Sequence, residues 1–565
     1  MFRKLIIVLA LLDFALTSAY CSVFVPEQPT LSVDGLKPGM RGHLLTVMKG
    51  TEPSKIPVRV VSILPQVPGR SIHDLILIKL TSGAKLAQGM SGSPVYVNGK
   101  LIGAVRSGWT DSDHTLAMVT PIDSMCALKE YESLRASLPL ASVFISGMSS
   151  TTRAVAELSK KLGVDVTQGA GIISGGLVAE SKPFRPGDSV AVVLVWGDIE
   201  LSAVGAVTAT AKDGSFLAMG HDFLKRGTVG YPSAGAYIHE VVDSSSFPFK
   251  LASLTAMNGT ITQDREAGIM GRTGHYAPSV SGEFVFVDTD RNTKTRCRFR
   301  TIADEFLTGS LIEGVCSGLA EELWGRKGQG TMSVNLRIDG KNIPKGWARK
   351  DIFFSDDDII KASFKNITEI IDAYLTQPYS EAVPAGFVIT IEASEKPKVL
   401  MIEEVETVSE AKPGEEIEVS VKLRGWRSEP VTEKFKLKIP DDSAGVVELI
   451  VRGGGIQSFG QAGIEGGWKS VTSLERMLTE FKAADSNNQL IVELNTDKAA
   501  STLEKVLSQK KSASKQPDLL PEEKEYLSET KERRIKEGTL KIYSTEYVVD
   551  GLMRSIITVS SQKEG

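Results

Sequence analysis

The stretch Gly89-Met90-Ser91-Gly92-Ser93-Pro94, followed at once by Val95-Tyr96-Val97-Asn98-Gly99-Lys100-Leu101-Ile102-Gly103-Ala104-Val105, reads as a tight loop feeding a β-hairpin. Glycines at 89 and 92 permit the turn, Asn98-Gly99 is a two-residue hairpin signal, and apolar runs on either side supply the two strands. A serine hydroxyl on such a loop sits on a rigid element. The N–H groups of Gly89 and Ser91 can then converge on one point, where the oxyanion of a tetrahedral intermediate would form. Ser91 is therefore the candidate nucleophile. The same residues also fit an ordinary Gly-Ser turn between strands, with no chemistry attached.

This block resembles the nucleophile region of chymotrypsin-like proteases, in which Gly-x-Ser-Gly leads into the same sort of hairpin. It is more closely similar to the SpoIVB-type peptidases, the stage IV sporulation serine peptidase family, whose block reads GMSGSP followed by a strand, NGK and IGAV. The segment LKPGMRGHLLTVMKGTEPSKIPVRVVSILP (Leu36 to Pro65) looks like that family's barrel strands. A second block, VGAVTATAKDGSFLAMGHDF (Val204 to Phe223), is similar to the family segment ending in Gly-His. The resemblance covers roughly residues 30 to 330.

It implies a mainly β protein with some α structure, a chymotrypsin-like double β-barrel, and a serine endopeptidase activity. Ser91 would be the nucleophile, His221 the general base, and the N–H groups of Gly89 and Ser91 the oxyanion hole. The sporulation peptidase carries its histidine block before its serine block, whereas here the serine comes first. A double barrel with its blocks in rearranged order is expected, since the same catalytic geometry arises from different chain orders. Met90 stands where many chymotrypsin-like enzymes carry the Asp used in activation by a new N-terminus, so that switch is not expected.

Asp74 opens the run His73 to Leu80, HDLILIKL, which looks like the Asp-aliphatic strand that supplies the orienting carboxylate in chymotrypsin-like enzymes. An Asp at the mouth of an apolar strand also caps turns. Asp222, Asp111 and Asp113 are alternatives for the role. The remaining histidines, His43, His73, His114, His239 and His275, lack a spacing that suggests a site and are read as structural.

At 565 residues the chain is expected to form two to four domains. Its 65 basic and 69 acidic side chains leave a formal net charge of −4, which offers no basic face for nucleic acid. The four cysteines, Cys21, Cys126, Cys297 and Cys316, show no Cys-x-x-Cys pairing, so neither a metal nor a cofactor is expected. A Cys297–Cys316 disulfide is compatible with export but is not assigned.

Residues 1–22 combine Arg3 and Lys4, the apolar run LIIVLALL, and small residues before Tyr20, the order of a secretory signal peptide with cleavage after Ala19. An uncleaved anchor is the alternative and would be the only membrane contact. A secreted, periplasmic or cell-envelope location follows from either.

The changes of periodicity divide the rest of the chain. Residues 30–135 form the barrel half with Ser91, and 150–345 the half with His221. Residues 350–395 form a helical connector, 396–455 a β-sandwich-like module, and 456–565 a mixed α/β region. Within these, Arg153 to Gly163 and Ile359 onward read as amphipathic helices, the latter capped by Ser355 and Asp356 to Asp358. Gly169 to Gly176 has the wrong glycine spacing for a dinucleotide loop. Ser508 to Gln516 and the charged run after it read as a solvated linker.

The expected function is an exported endopeptidase acting on protein or peptide substrates, envelope proteins among them. Two other readings stand beside it: an envelope scaffold that retains the peptidase fold without catalysis, and a factor that processes only its own chain.

Overall fold

A computed structural model describes residues 24–65, 74–128, 143–170, 182–244, 246–380, 384–455, 471–495 and 527–560, except the side chains of 365, 366, 384 and 385. The signal segment 1–22, Cys21, His73, residues 171–176 and the stretch 508–516 lie outside the described residues. The fold is mainly β, and the chain divides into two compact units. The first comprises residues 1–279 with 302–304, the second 280–301 with 305–565.

In the first unit, β1 (Arg41–Thr46), β2 (Ser54–Pro65), β3 (Asp74–Leu80), β4 (Pro94–Val97), β5 (Lys100–Ser107) and β6 (Leu116–Pro121) form a closed barrel in the order β1-β2-β3-β6-β5-β4. Alternation drives it: in β2, Ile56, Val58 and Val60 point inward while Lys55 and Arg59 stay exposed. These side chains join Leu44, Ile76 and Val105 in one core. Burial of each contributes roughly 1.5–3 kcal/mol. The hairpin β4–β5 turns on Asn98 and Gly99, with φ of 52° and 74°. Two successive left-handed residues match the twist of the strands they join.

The same unit continues with β7 (Val143–Ser146), β8 (Val166–Gln168), β9 (Ser189–Gly197), β10 (Glu200–Thr210), β11 (Ser215–Ala218), β12 (Gly227–Val242), β13 (Phe249–Arg265) and β14 (Gly268–Thr273). Antiparallel pairings run β9-β12-β13-β14-β11-β10 and return from β10 to β9, a closed circuit of six strands. Strand β7 adds to the outside of β10, and β8 pairs parallel with β7. Between β7 and β8 the helix Arg153–Leu162 forms where the amphipathic pattern places it; Thr152 caps its first turn, and Gly163 ends it at φ 69°.

The second unit holds the strands Ser279–Asp288, Gly330–Gly340, Ala348–Ser355 and Pro384–Ser394, with helices Thr308–Trp324 and Ile359–Thr376. The division therefore falls at residue 279 and not near 345. Val280 onward pairs parallel with Pro384–Ser394, which in turn pairs with Gly330–Gly340. The expected helical connector 350–395 holds the helix Ile359–Thr376, set between two strands of this sheet. Asp358 accepts from the Lys361 N–H and caps the helix that follows.

The β-sandwich reaches beyond 455. Sheets of four and five strands share a core in which Ile402, Val419 and Leu437 meet Leu449, Val492 and Ile557, so Gln489–Asn495 and residues 540–559 complete it. The charged run at Leu527–Glu537 is a helix held by ion pairs, and not a solvated linker. Lys531 pairs with Asp485, and Arg534 with Glu493; Asp485 and Glu493 also hold the buried Arg452.

The tightest joint in the first unit lies at Gly92, with φ +87°. A Cβ there would stand 2.1 Å from the Ala206 carbonyl oxygen and 2.3 Å from the Met219 nitrogen, both backbone atoms. Gly92→Ala should therefore destabilise the chain by about 2–4 kcal/mol. Gly83→Ala is the control, with φ +76° and nothing within 4 Å of the new Cβ. It should lose only the backbone term of roughly 1–2 kcal/mol. Urea denaturation of the two variants measures the difference.

Candidate active site

Ser91 lies on the loop that connects β3 to β4 within the barrel. Backbone bonds engage the N–H groups around it except two. The Met90 N–H donates to Ala87 O, the Gly92 N–H to Val105 O at 2.7 Å, and the Ser93 N–H to Met90 O. Ser91 O accepts from the Ala206 N–H at 2.7 Å, and Gly92 O accepts from the Thr208 hydroxyl at 2.8 Å. Among the described residues, no acceptor takes up the N–H of Gly89 or of Ser91. Two free donors separated by one bonded peptide make an arrangement suited to an oxyanion.

His221 follows β11 on a turn in which Met219 and Gly220 both have positive φ, 63° and 62°. Three buried polar groups secure this turn. Thr120 donates its hydroxyl to Gly220 O; Arg106 Nη1 reaches the same carbonyl at 3.4 Å and Glu266 O at 2.8 Å. Beyond the histidine, the Asp264 carboxylate accepts from the N–H groups of Phe223, Leu224 and Arg226 at 2.7, 2.8 and 3.2 Å. A carboxylate bonded to three amides is a strong loop anchor.

The ring nitrogen Nδ1 of His221 lies 2.5 Å from its neighbour's carbonyl, Asp222 O. A carbonyl oxygen only accepts, so Nδ1 carries the proton and Nε2 keeps its lone pair. Burial pushes the imidazole pKa down to about 4, with the Arg106 charge adding to the shift and Asp222 opposing it. Nε2 is therefore an unprotonated base throughout the neutral range.

The two blocks meet. Gly92 touches Met219, while Ser91 O and Met219 N are both bonded to Ala206 of β10. Ser91 and His221 are each only 1% exposed. Ser91 Oγ, Ser93 Oγ and His221 Nε2 are buried without a hydrogen-bond partner, so the serine and the imidazole are not bonded to one another here.

Asp74 begins β3 opposite Pro65, and the charges acting on the His221 ring are those of Arg106 and Asp222. The group on Nδ1 is the main-chain carbonyl of Asp222, where the sequence suggested the Asp74 carboxylate. Asp113 binds the N–H and hydroxyl of Thr115 in a local turn, and the Asp111 N–H points to Ser246 O.

Three other histidines have partners of their own: His43 stacks on Tyr96, His114 meets the edge of Phe247, and His239 Nε2 bonds Ser253. Among the described residues, no group of three or more His, Cys, Asp or Glu could hold a metal ion. Cys297 and Cys316 are both buried.

Arg106, Thr120, Asp264 and Lys250 are site residues that the sequence reading passed over. One signal for Arg106 was present: it is a charge directly after the apolar run Leu101 to Val105, and it is buried with the rest of that strand beyond Lys100. No family model matches the chain, and neither a curated protein nor a solved structure is similar to it. The likeness to sporulation peptidases therefore rests on the motif residues alone.

The His221 titration has a measurable sign. The folded ring takes up its proton near pH 4, while an unfolded one does so near the ordinary 6.5. The unfolded state thus binds more protons between those values, and the histidine costs stability as pH falls from 6.5 to 4. Urea denaturation at pH 7, 5.5 and 4 should show the wild type losing stability relative to His221→Gln across this window. A constant difference would mean that the ring is not held neutral.

Proposed function

We propose that the protein is a serine endopeptidase of the chymotrypsin-like kind, with a site of the SpoIVB type, exported and acting on protein or peptide substrates. The observation that carries this is the pairing of two unused N–H groups at Gly89 and Ser91 with an imidazole whose Nδ1 is held and whose Nε2 is free. A turn scaffold without chemistry gives no reason for that combination. The two circuits of six strands, each delivering one loop to the joint at Gly92, also suit a double-barrel peptidase whose halves are joined in the opposite order.

In this mechanism Ser91 Oγ attacks the scissile carbonyl carbon while its proton passes to His221 Nε2. The carbonyl oxygen becomes an oxyanion facing the N–H groups of Gly89 and Ser91. Collapse of this intermediate breaks the C–N bond, and the leaving amine takes the proton from Nε2. Water then attacks the acyl carbon while losing a proton to Nε2, and collapse of this second intermediate breaks the bond to Ser91 Oγ, which takes the proton back from Nε2 and frees the acid product. The Asp222 carbonyl keeps the ring in the tautomer this requires, and the Asp222 charge favours the imidazolium that forms. No step is assigned to Asp74.

The scaffold reading is favoured by a separate observation: Ser91 and His221 are both covered, and no hydrogen bond joins them. A catalytic cycle needs that bond to form as substrate enters.

A fluorophosphonate probe decides between the readings, since only an activated serine reacts. The wild type should label and Ser91→Ala should not. His221→Ala should slow labelling by several orders of magnitude with the fold retained. Undiminished labelling of Ser91→Ala would move the nucleophile, Ser93 being the next candidate. A wild type that stays unlabelled would favour the scaffold.

A further inference from the structure

Lys250 lies where β13 meets the nucleophile loop, and its backbone helps to clamp that loop. The Gln88 N–H donates to Pro248 O at 2.8 Å, and the Lys250 N–H donates back to Gln88 O at 3.1 Å. Gln88, the residue that precedes Gly89, is thus held on both sides, and the peptide that carries the Gly89 N–H is held through its carbonyl. The Lys250 side chain is fully buried. Its stem lies along Gly89, where a Cβ would stand 3.2 Å from Lys250 Cδ, 3.3 Å from Cβ and 3.4 Å from Cγ. Gly89 has φ +88°, so a side chain there would be strained, and its Cβ would crowd the lysine stem by a few tenths of an ångström.

At its far end the lysine leaves the loop behind. Nζ donates to Thr46 Oγ1 at 2.8 Å, at the last residue of β1, and Thr46 is itself fully buried. Among the described residues no carboxylate forms an ion pair with it. The side chain is a strut between the barrel wall and the glycine that offers one of the two free N–H groups.

The strut is an expensive one. Burial pushes the amine pKa down to about 7 from its ordinary 10.5. Between those values the unfolded chain binds more protons than the folded one, so stability rises with pH there. At neutral pH the lysine therefore costs stability that an apolar side chain of the same length would not. A costly polar group retained against a candidate site is what a trade of stability for function looks like.

We propose that Lys250 is a positioning residue of the oxyanion hole: its stem, tethered through Nζ to Thr46, sets the plane of the peptide that carries the Gly89 N–H. This rests on the serine peptidase reading. Lys250 touches neither the nucleophile nor the base in this role. It acts through Gly89 alone.

The test measures fluorophosphonate labelling of the full chain over a range of probe concentrations, with thermal unfolding followed in parallel. Wild type, Lys250→Ala, Lys250→Met and Thr46→Val are compared. Lys250→Ala removes the stem and should slow the maximal labelling rate by about 10²-fold, the scale of one lost oxyanion donor. The concentration for half-maximal rate should be unchanged, since the loss falls on the transition state. Lys250→Met and Thr46→Val keep the packing but cut the tether, and both should label about 10-fold more slowly. Lys250→Met should unfold at a temperature equal to or above that of the wild type, which separates positioning from general loss of structure. Labelling of Lys250→Met and Thr46→Val within twofold of a reactive wild type would overturn the proposal, even if Lys250→Ala fails to fold. An unlabelled wild type would remove the peptidase reading itself, and this role with it.

Discussion

The close approach of Gly92 to β10 and to Met219 is the constraint on which the rest of the first unit depends. At 2.1 Å from a carbonyl oxygen, the position of a Cβ is filled by backbone, so two chain segments pack with no side chain between them. Ser91 O and Gly92 O are then consumed by Ala206 and Thr208, which turns the carbonyls of this loop toward β10. The two N–H groups left without a protein acceptor, those of Gly89 and Ser91, sit on peptides whose own carbonyls are held: Gln88 O accepts from the Lys250 N–H and Met90 O from the Ser93 N–H. Both peptides are therefore fixed in plane while their N–H groups stay unbonded.

Around this joint, buried polar groups fall into two classes. Arg106, Thr120, Asp264 and Lys250 each have a partner, a backbone or side-chain group far away in sequence. Ser91 Oγ, Ser93 Oγ and His221 Nε2 are not satisfied. An unpaired buried polar group costs about 1–3 kcal/mol, and proteins seldom keep several in one place. The partnered groups hold the loops rigidly enough for the others to stay unpaired. Preorganisation of this kind is what an active site needs, because hydrogen bonds withheld in the resting state can form in the transition state.

What the sequence made legible was local. The hairpin at Asn98-Gly99 and the cap at Asp358 are signals written within a few residues, and each appears where expected. Ser91 and Gly89 share that property, being neighbours in one motif. Lys250 does not. It stands in Phe249-Lys250-Leu251, where alternation would send the charge outward, and only the fit against Gly89 explains why it points in. Asp264 and Arg106 act on groups more than 30 residues away. The group that holds the imidazole could not be read at all. A main-chain carbonyl has no residue identity, so a search for a carboxylate partner led to Asp74.

Chain order need not decide the chemistry, because the contacts that shape the two loops run between the circuits and not along the chain. The serine loop is bonded by Ala206, Thr208 and Lys250 of the second circuit, and the turn before His221 by Arg106 and Thr120 of the first. Nothing in the geometry of either loop depends on which half is synthesised first. The joint between them is a matter of surface: Gly92 on one side, Ala206 and Met219 on the other. Any connection long enough to let the two circuits pack would suffice, and between Pro121 and Ser189 there is ample chain for it. Constraint is therefore concentrated in a few residues at the contact, and it is their fit that a rearranged order would have to preserve.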